Sequence, residues 1–216
     1  MATPRAATFP STRRSLLTRL KKWDDSEGWK EFFDTYWKLL YGFARKASFT
    51  DGEAQDLVQE TIAAVAKSIP GFHYDPKVGT FKSWLFTILH RRIIDRQRKR
   101  QREVVIVDDI AGKDSTTRPI DRVPDPSGPD LNRIWENEWH QHLFENALGR
   151  VKQKVEARQF QIFDCYVLQE WPVTDVAKRL RVSEQQVYTA KHRIGALLKE
   201  EVARLQKEPT GQHTND

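Results

Sequence analysis

An all-α fold of two small helical domains joined by a flexible acidic linker, with a helix-turn-helix in the C-terminal domain, is what this 216-residue chain predicts. Three observations carry the expectation. Apolar residues recur at three- and four-residue steps along most of the chain, as they do in helices that bury one face. That periodicity stops between residues 103 and 130, where prolines and acids take over. Near the C-terminus a short helical pattern, the turn Arg181-Val182-Ser183 and a long helical pattern follow one another, which is the arithmetic of two crossed helices. The expected organisation is therefore a disordered N-terminus over 1–12, a helical domain over 13–102, a linker over 103–130, a second helical domain over 131–205 and a polar tail over 206–216.

Pro4 and Pro10 among small polar residues argue against structure at the N-terminus. The Thr-, Ser- and Arg-rich start superficially matches an organelle transit peptide, but SLLTRLKKW runs without a break into the next helical pattern. A helix is expected from about Ser26 to Lys46. Its rings Trp29, Phe32, Phe33, Tyr36, Trp37 and Phe43 cover a broad stripe with Leu40, so they are read as core packed on more than one neighbour.

Residues 51 to 102 hold three different surfaces in succession. Leu57, Val58, Thr61, Ile62, Val65 and Ile69 fall on one helical face, leaving Asp56, Gln59 and Glu60 to point elsewhere. Thr50 followed three residues later by Glu53 is a capping-box pattern, and Pro70-Gly71 stops the helix. The loop from Phe72 to Gly79 carries Phe72, His73, Tyr74, Asp75 and Lys77, whose rings cannot all be buried in so short a connection. A second helix starts near Thr80 with Phe81, Trp84, Leu85, Ile88 and Leu89 on its apolar face, before Arg91, Arg92, Arg96, Arg98, Lys99, Arg100 and Arg102 make its far end cationic. Rings beside a basic helix end are what single-stranded nucleic acid binding needs, since bases stack on rings and phosphates pair with guanidinium groups. The plainer alternative is a solvated charged helix end over core aromatics.

From Glu103 to Asp130 seven acids outnumber three bases, and Pro119, Pro124, Pro126 and Pro129 preclude a long helix. VVIV is too short to seed a sheet by itself, so the segment reads as a tether. Helical patterning resumes at Leu131 with Ile134, Trp135, Trp139, Leu143, Ala147 and Leu148. Glu138, His140 and His142 lie close in sequence, but the two histidines are two residues apart and so face different sides of a helix, and no third ligand is evident. No metal and no cofactor is expected, and no glycine-rich phosphate loop or catalytic triad pattern is found.

A helix is expected from Ala157 to Gln169, broken at Trp171-Pro172, then TDVAKRL, the turn RVS and a long helix from Glu184. Val176, Ala177, Leu180, Val182, Val187 and Ala190 fall where two crossed helices touch, and Thr174 and Ser183 are placed as N-caps. The turn position that often carries glycine is Arg181, which predicts a wider turn. The last helix would offer Ser183, Gln185, Tyr188, Thr189, Lys191, His192 and Arg193 outward: Gln185, Thr189 and His192 suit base edges in a major groove, Lys191 and Arg193 suit phosphates.

The net charge of +6 and a pI near 9.4 favour an anionic partner without naming it. The single cysteine, Cys165, excludes an intramolecular disulfide, and its apolar setting reads as a small buried hydrophobe in a reducing compartment. No apolar run approaches the roughly 18 residues of a membrane span, so no membrane insertion is expected.

With both blocks on the page, the chain resembles the extracytoplasmic-function sigma factors, the small two-domain class of bacterial RNA polymerase sigma subunits. DLVQE, the following F-x-SWL and the basic helix end look like the family's region two, and the block from Phe160 to Leu198 looks like its region four. The resemblance implies that Asp56, Leu57, Gln59 and Glu60 dock on the clamp coiled coil of core RNA polymerase. It implies that Phe72, Tyr74, Asp75, Lys77, Thr80, Phe81 and Trp84 hold unstacked nontemplate bases of the minus-ten element, with Arg91, Arg92, Arg96 and Arg98 on the duplex and its phosphates. The helix from Glu184, with Ser183, Gln185, Tyr188, Thr189, Lys191, His192 and Arg193, would read the minus-thirty-five element. The partners so implied are core RNA polymerase, promoter DNA as duplex and nontemplate single strand, and an anti-sigma factor; the setting is cytoplasmic, no catalysis is expected, and the acidic linker would thread the polymerase's RNA path. The competing readings are a stand-alone helix-turn-helix regulator, which would not need DLVQE, and a nuclease, for which no carboxylate cluster is present.

Overall fold

The computed structural model describes residues 14–72, 80–110 and 130–207, and every regular element among them is helical. Among the described residues two compact units emerge, one lying within 17–139 and one made of 140–207 with the first residues of the chain's first helix, 14–16.

In the first unit, α1 (Arg14–Leu20) leads into α2 (Ser26–Lys46). Asp25 caps α2 by accepting a hydrogen bond from the Gly28 N–H at 2.7 Å. Arg19 clamps the junction, donating to Asp25 at 2.8 and 3.0 Å and to Glu31 at 2.8 Å. The buried stripe of α2 is Phe32, Tyr36, Leu39, Leu40 and Phe43. Phe33 does not join it: it is 42% exposed and stacks on Trp37, which in turn meets Tyr41. Phe33, Trp37 and Tyr41 are four apart and form their own line on the helix, so the breadth of the aromatic stripe reflects a half-covered flank rather than a wider core.

The helix α3 (Asp51–Ser68) begins with the expected capping box, in which the Glu53 carboxylate accepts from the Thr50 N–H at 2.9 Å and from the Thr50 hydroxyl at 2.7 Å. It ends in a 3₁₀ turn, Ile69–Gly71, at Pro70. Leu57, Val58, Thr61, Val65 and Ile69 are buried, and the Thr61 hydroxyl is satisfied by the Leu57 carbonyl at 2.7 Å. The next helix, α4 (Phe81–Ile110), is capped by Thr80, whose hydroxyl accepts from the Ser83 N–H at 3.2 Å. It continues past Glu103, where the linker was expected to start. Nothing between Glu103 and Ile110 breaks a helix: the β-branched run costs only fractions of a kcal/mol per residue, and Pro119 is the first proline. The rest of the expected linker, 111–129, lies outside the described residues.

The start of α5 (Leu131–Lys154) also belongs to this unit, which ends at Trp139. Trp135 packs edge-on against Phe43 at 5.6 Å and along Phe86 at 5.4 Å. Glu138, buried, pairs with Lys46 of α2 and fills the space beside Gly42, where a β-carbon would run into its carboxylate. A side chain at position 42 would have to displace the Glu138 carboxylate from this contact.

The second unit contains the remainder of α5, α6 (Ala157–Phe163), α7 (Val173–Leu180) and α8 (Glu184–Lys207). After Phe163 the chain widens into a π-helical turn, Asp164–Leu168, so the helix expected to run to Gln169 changes its winding in its second half. The Gln169 N–H reaches back to the Asp164 carbonyl, the Trp171 N–H reaches the Cys165 carbonyl, and Glu170 at φ 56° turns the chain into Pro172. Two clusters form the core. Ala147, Val151, Phe163, Ile194 and Leu198 join α5, α6 and α8, and Ile162, Cys165, Val176, Val187 and Ala190 join α6, α7 and α8. Cys165 is a buried free thiol in the second cluster.

Two local expectations need correction here. Thr174 is not a cap: α7 starts at Val173 with Pro172 in the N-cap position, which puts Thr174 inside the first turn. Nor is the Arg181 turn wide. Arg181 takes the left-handed conformation (φ 52°, ψ 53°), and the Val182 N–H bonds to the Ala177 carbonyl at 3.0 Å, a tight helix end that an arginine adopts at the cost a glycine avoids.

Candidate docking edge and nucleic-acid surfaces

In the first unit, α3 presents Asp56, Gln59 and Glu60 to solvent while Leu57, one residue along, is fully buried. The edge is thus two carboxylates and an amide on a rigid apolar floor, with Leu57 beneath it. Opposite lies Arg96 of α4. Its guanidinium donates to Glu60 at 2.7 and 3.3 Å, lies 3.5 Å from Asp56, and reaches the Glu53 carbonyl at 3.4 Å. Hydrogen bonding to Glu60, opposed by partial burial, leaves the Arg96 charge held more firmly than usual.

At the start of α4 the rings expected to handle bases have different surroundings. Phe81 is buried, packed against Tyr36 at 5.4 Å and Phe32 at 6.4 Å. Phe72 and Trp84 are half-buried with centroids 4.4 Å apart, and both touch Phe81. The result is a two-ring platform on a core ring, beside exposed Thr80 and Ser83. Tyr74, Asp75 and Lys77 lie outside the described residues. Farther along α4, Arg91 and Arg98 are exposed, while Arg92 is half-buried and 3.5 Å from Asp95. The four arginines that look alike in sequence therefore have three different settings.

In the second unit, Ser183, Gln185, Tyr188, Thr189, Lys191, His192 and Arg193 are all exposed. Ser183 caps α8 reciprocally with Gln186: the Gln186 N–H donates to the Ser183 hydroxyl at 3.2 Å and the Ser183 N–H to the Gln186 side chain at 2.8 Å. Gln185, Thr189 and Arg193 line one groove of about 290 Å³ together with Arg158, Gln159 and Arg181. Lys191 and His192 instead edge a second, mostly apolar groove with Phe144, Phe163 and Leu198. Tyr188 meets Tyr166 edge-on, and the Lys191 ammonium sits 5.6 Å over the Tyr166 ring.

Sequence reasoning missed Arg158, whose guanidinium donates to the Leu180 carbonyl at 3.2 Å and so ties α6 to the end of α7. It also treated Arg181 only as a turn residue. No local pattern marks Arg158, whereas an arginine at a helix-ending turn beside the outward helix was a usable signal. Among the described residues no group of three or more His, Cys, Asp or Glu is arranged to hold a metal ion, and no helix is long and apolar enough to cross a membrane.

Comparison with known proteins adds the following. Residues 32–103 match the family model of sigma-70 region 2. The chain is 33% identical over 98 residues to the ECF RNA polymerase sigma factor SigK of Mycolicibacterium vanbaalenii, covering 44% of this chain and 49% of that protein. It is 29% identical over 121 residues to the ECF RNA polymerase sigma factor SigK of Mycobacterium sp. strain KMS, covering 54% and 59%. The chain thus spans about half the length of the curated relatives it matches. A solved structure of the sigma factor RpoE in complex with the anti-sigma factor NepR, from Bartonella quintana, aligns with 81% of this chain and 96% of its own at 23% identity and a TM-score of 0.33.

Proposed function

We propose, from the match of residues 32–103 to the sigma-70 region 2 model, that the chain is an RNA polymerase sigma factor of the extracytoplasmic-function class, acting in the cytoplasm to direct core polymerase to specific promoters and to promote strand opening. The observation that carries the reading is the presence, within that segment, of both an exposed Asp56-Gln59-Glu60 edge on α3 and a half-buried ring pair, Phe72 ahead of α4 and Trp84 in its first turn. The edge docks core polymerase and the platform stacks bases. Arg91, Arg92 and Arg98 supply phosphate contacts. In the second unit, α7, its turn and α8 act as a helix-turn-helix. Gln185 and Thr189 meet base edges of the upstream element, and Arg158, Arg181 and Arg193 border the same groove as cations for the flanking backbone.

No bond is made or broken by such a subunit. Extruding a base costs a few kcal/mol of stacking and pairing, and a platform that binds only the extruded base shifts the equilibrium toward the open promoter. The test is run-off transcription with purified core polymerase on a promoter library. Specific transcripts that depend on the added chain support the proposal. DNA binding without core polymerase, and no transcript with it, would instead make the protein a stand-alone regulator.

A further inference from the structure

We infer that Arg96 is a positioning residue for the docking edge of α3, holding Asp56 and Glu60 in their outward geometry, rather than one of the cations that contact DNA phosphates. The inference rests on the reading of that edge as the polymerase-docking surface. Its acceptors are the Glu53 carbonyl, Asp56 and Glu60, at positions i, i+3 and i+7, which is one line along two turns of α3. A guanidinium can bridge such a line because its donors diverge in a plane; an ammonium concentrates its donors at one point.

Relative exposure points the same way. The Arg96 side chain is 20% exposed, against 65% for Asp56 and 48% for Glu60. The cation is the inner member of the trio and the carboxylates are the outer ones, so a phosphate approaching Arg96 would first meet two negative charges. Arg91 and Arg98, in contrast, are exposed on the same helix. Glutamate side chains at solvent are otherwise free to change rotamer, and a docking surface that must order them on binding loses affinity. Arg96 orders them beforehand.

The test measures affinity of the full-length chain for purified core polymerase, and the salt dependence of promoter binding by preassembled holoenzyme, for wild type, Arg96→Gln, Arg96→Lys, Glu60→Gln and the Arg96→Gln/Glu60→Gln pair. Arg96→Gln is expected to weaken core binding by about tenfold and Arg96→Lys by less. In the Glu60→Gln background the Arg96 substitution should cost under about twofold, because the nearer and more strongly bonded of the two carboxylates it positions is already gone. The holoenzyme salt slope should be unchanged. An unchanged core affinity with a salt slope reduced by about one would overturn the inference and return Arg96 to the phosphate contacts; so would additive effects, or tighter core binding by Arg96→Gln. If wild type binds core polymerase but Gln59 and Glu60 substitutions leave that affinity unaltered, the docking reading itself fails and this inference with it. Thermal unfolding of each variant separates these outcomes from loss of fold, since misfolding would depress core binding, promoter binding and melting temperature together.

Discussion

The guanidinium of Arg150 on α5 donates to the carboxylate of Glu201 on α8 at 2.9 Å, with both side chains almost wholly buried. Lys154 and Arg204 close on the same carboxylate from the surface. Charges taken out of water stabilise only as a set, and removing one member leaves the other uncompensated. Glu201→Gln should therefore cost about 3 kcal/mol in urea unfolding, and adding Arg150→Met should recover most of that loss. A single-variant loss below about 1 kcal/mol would mean that water reaches Arg150.

The same carboxylate sets a pH dependence. Burial raises the Glu201 pKa, but hydrogen bonds from Arg204, Arg150 and Lys154 outweigh it and bring the value from an ordinary 4.5 to about 2. The folded value lies below the unfolded one, so the stabilisation is complete above about pH 4.5 and is lost as pH falls toward 2. Melting temperatures followed from pH 6 downward should fall faster for wild type than for Glu201→Gln, the gap between them narrowing below pH 4.

Arg181→Gly should stabilise the second unit by about 0.5 to 1 kcal/mol. The left-handed backbone costs an L-residue roughly 1 to 2 kcal/mol, part of which glycine gives back through its more flexible unfolded chain. Arg181→Ala keeps the strain and should gain nothing. If Arg181 also borders bound DNA, the glycine variant should bind promoters less tightly despite its higher urea midpoint.

Ser183→Ala removes the cap of α8 and should cost about 1 kcal/mol. Gln186→Ala in that background should add little, since the two side chains form one reciprocal pair. Independent costs of similar size would show that each acts separately.

Replacing Arg98 by Ala should reduce the slope of log affinity against log salt by about 0.9 in holoenzyme–promoter binding. The effect should be the same on all promoters, because a phosphate contact positions without reading sequence. Gln185→Ala, in contrast, should change the ranking of upstream elements.

Much of the fold was legible because its determinants are local. The Thr50-Glu53 capping box, the Ser183 cap, the Pro70 stop and the buried face of α3 each depend on residues within a turn or two of one another. What was missed depends on long-range packing or on tolerance of strain. Arg96 meets Glu60 across 36 positions of sequence, so its segregation from Arg91 and Arg98 has no local signature. Arg158 reaches the end of α7 for the same reason. Arg181 misled because its turn accepts the left-handed backbone without glycine, and α4 outran its expected end because β-branched residues are weak helix formers rather than breakers. For the candidate sites, composition indicated the chemical types, while the division of look-alike arginines into clamped and open ones required the packing of α3 on α4.

The reciprocal cap at Ser183 fixes where α8 begins, and the buried row Val187, Ala190, Ile194 and Leu198 fixes which side faces out. Because an α-helix turns about 100° per residue, one residue inserted between Ser183 and Gln185 would swing the whole outward row around the axis relative to the cap. One inserted before Arg181 would leave that phase intact and move the start of α8 relative to α7 instead. The cap and the buried row thus act together as an index mark, so that α8 can vary in composition along its outer row without losing track of which side faces out.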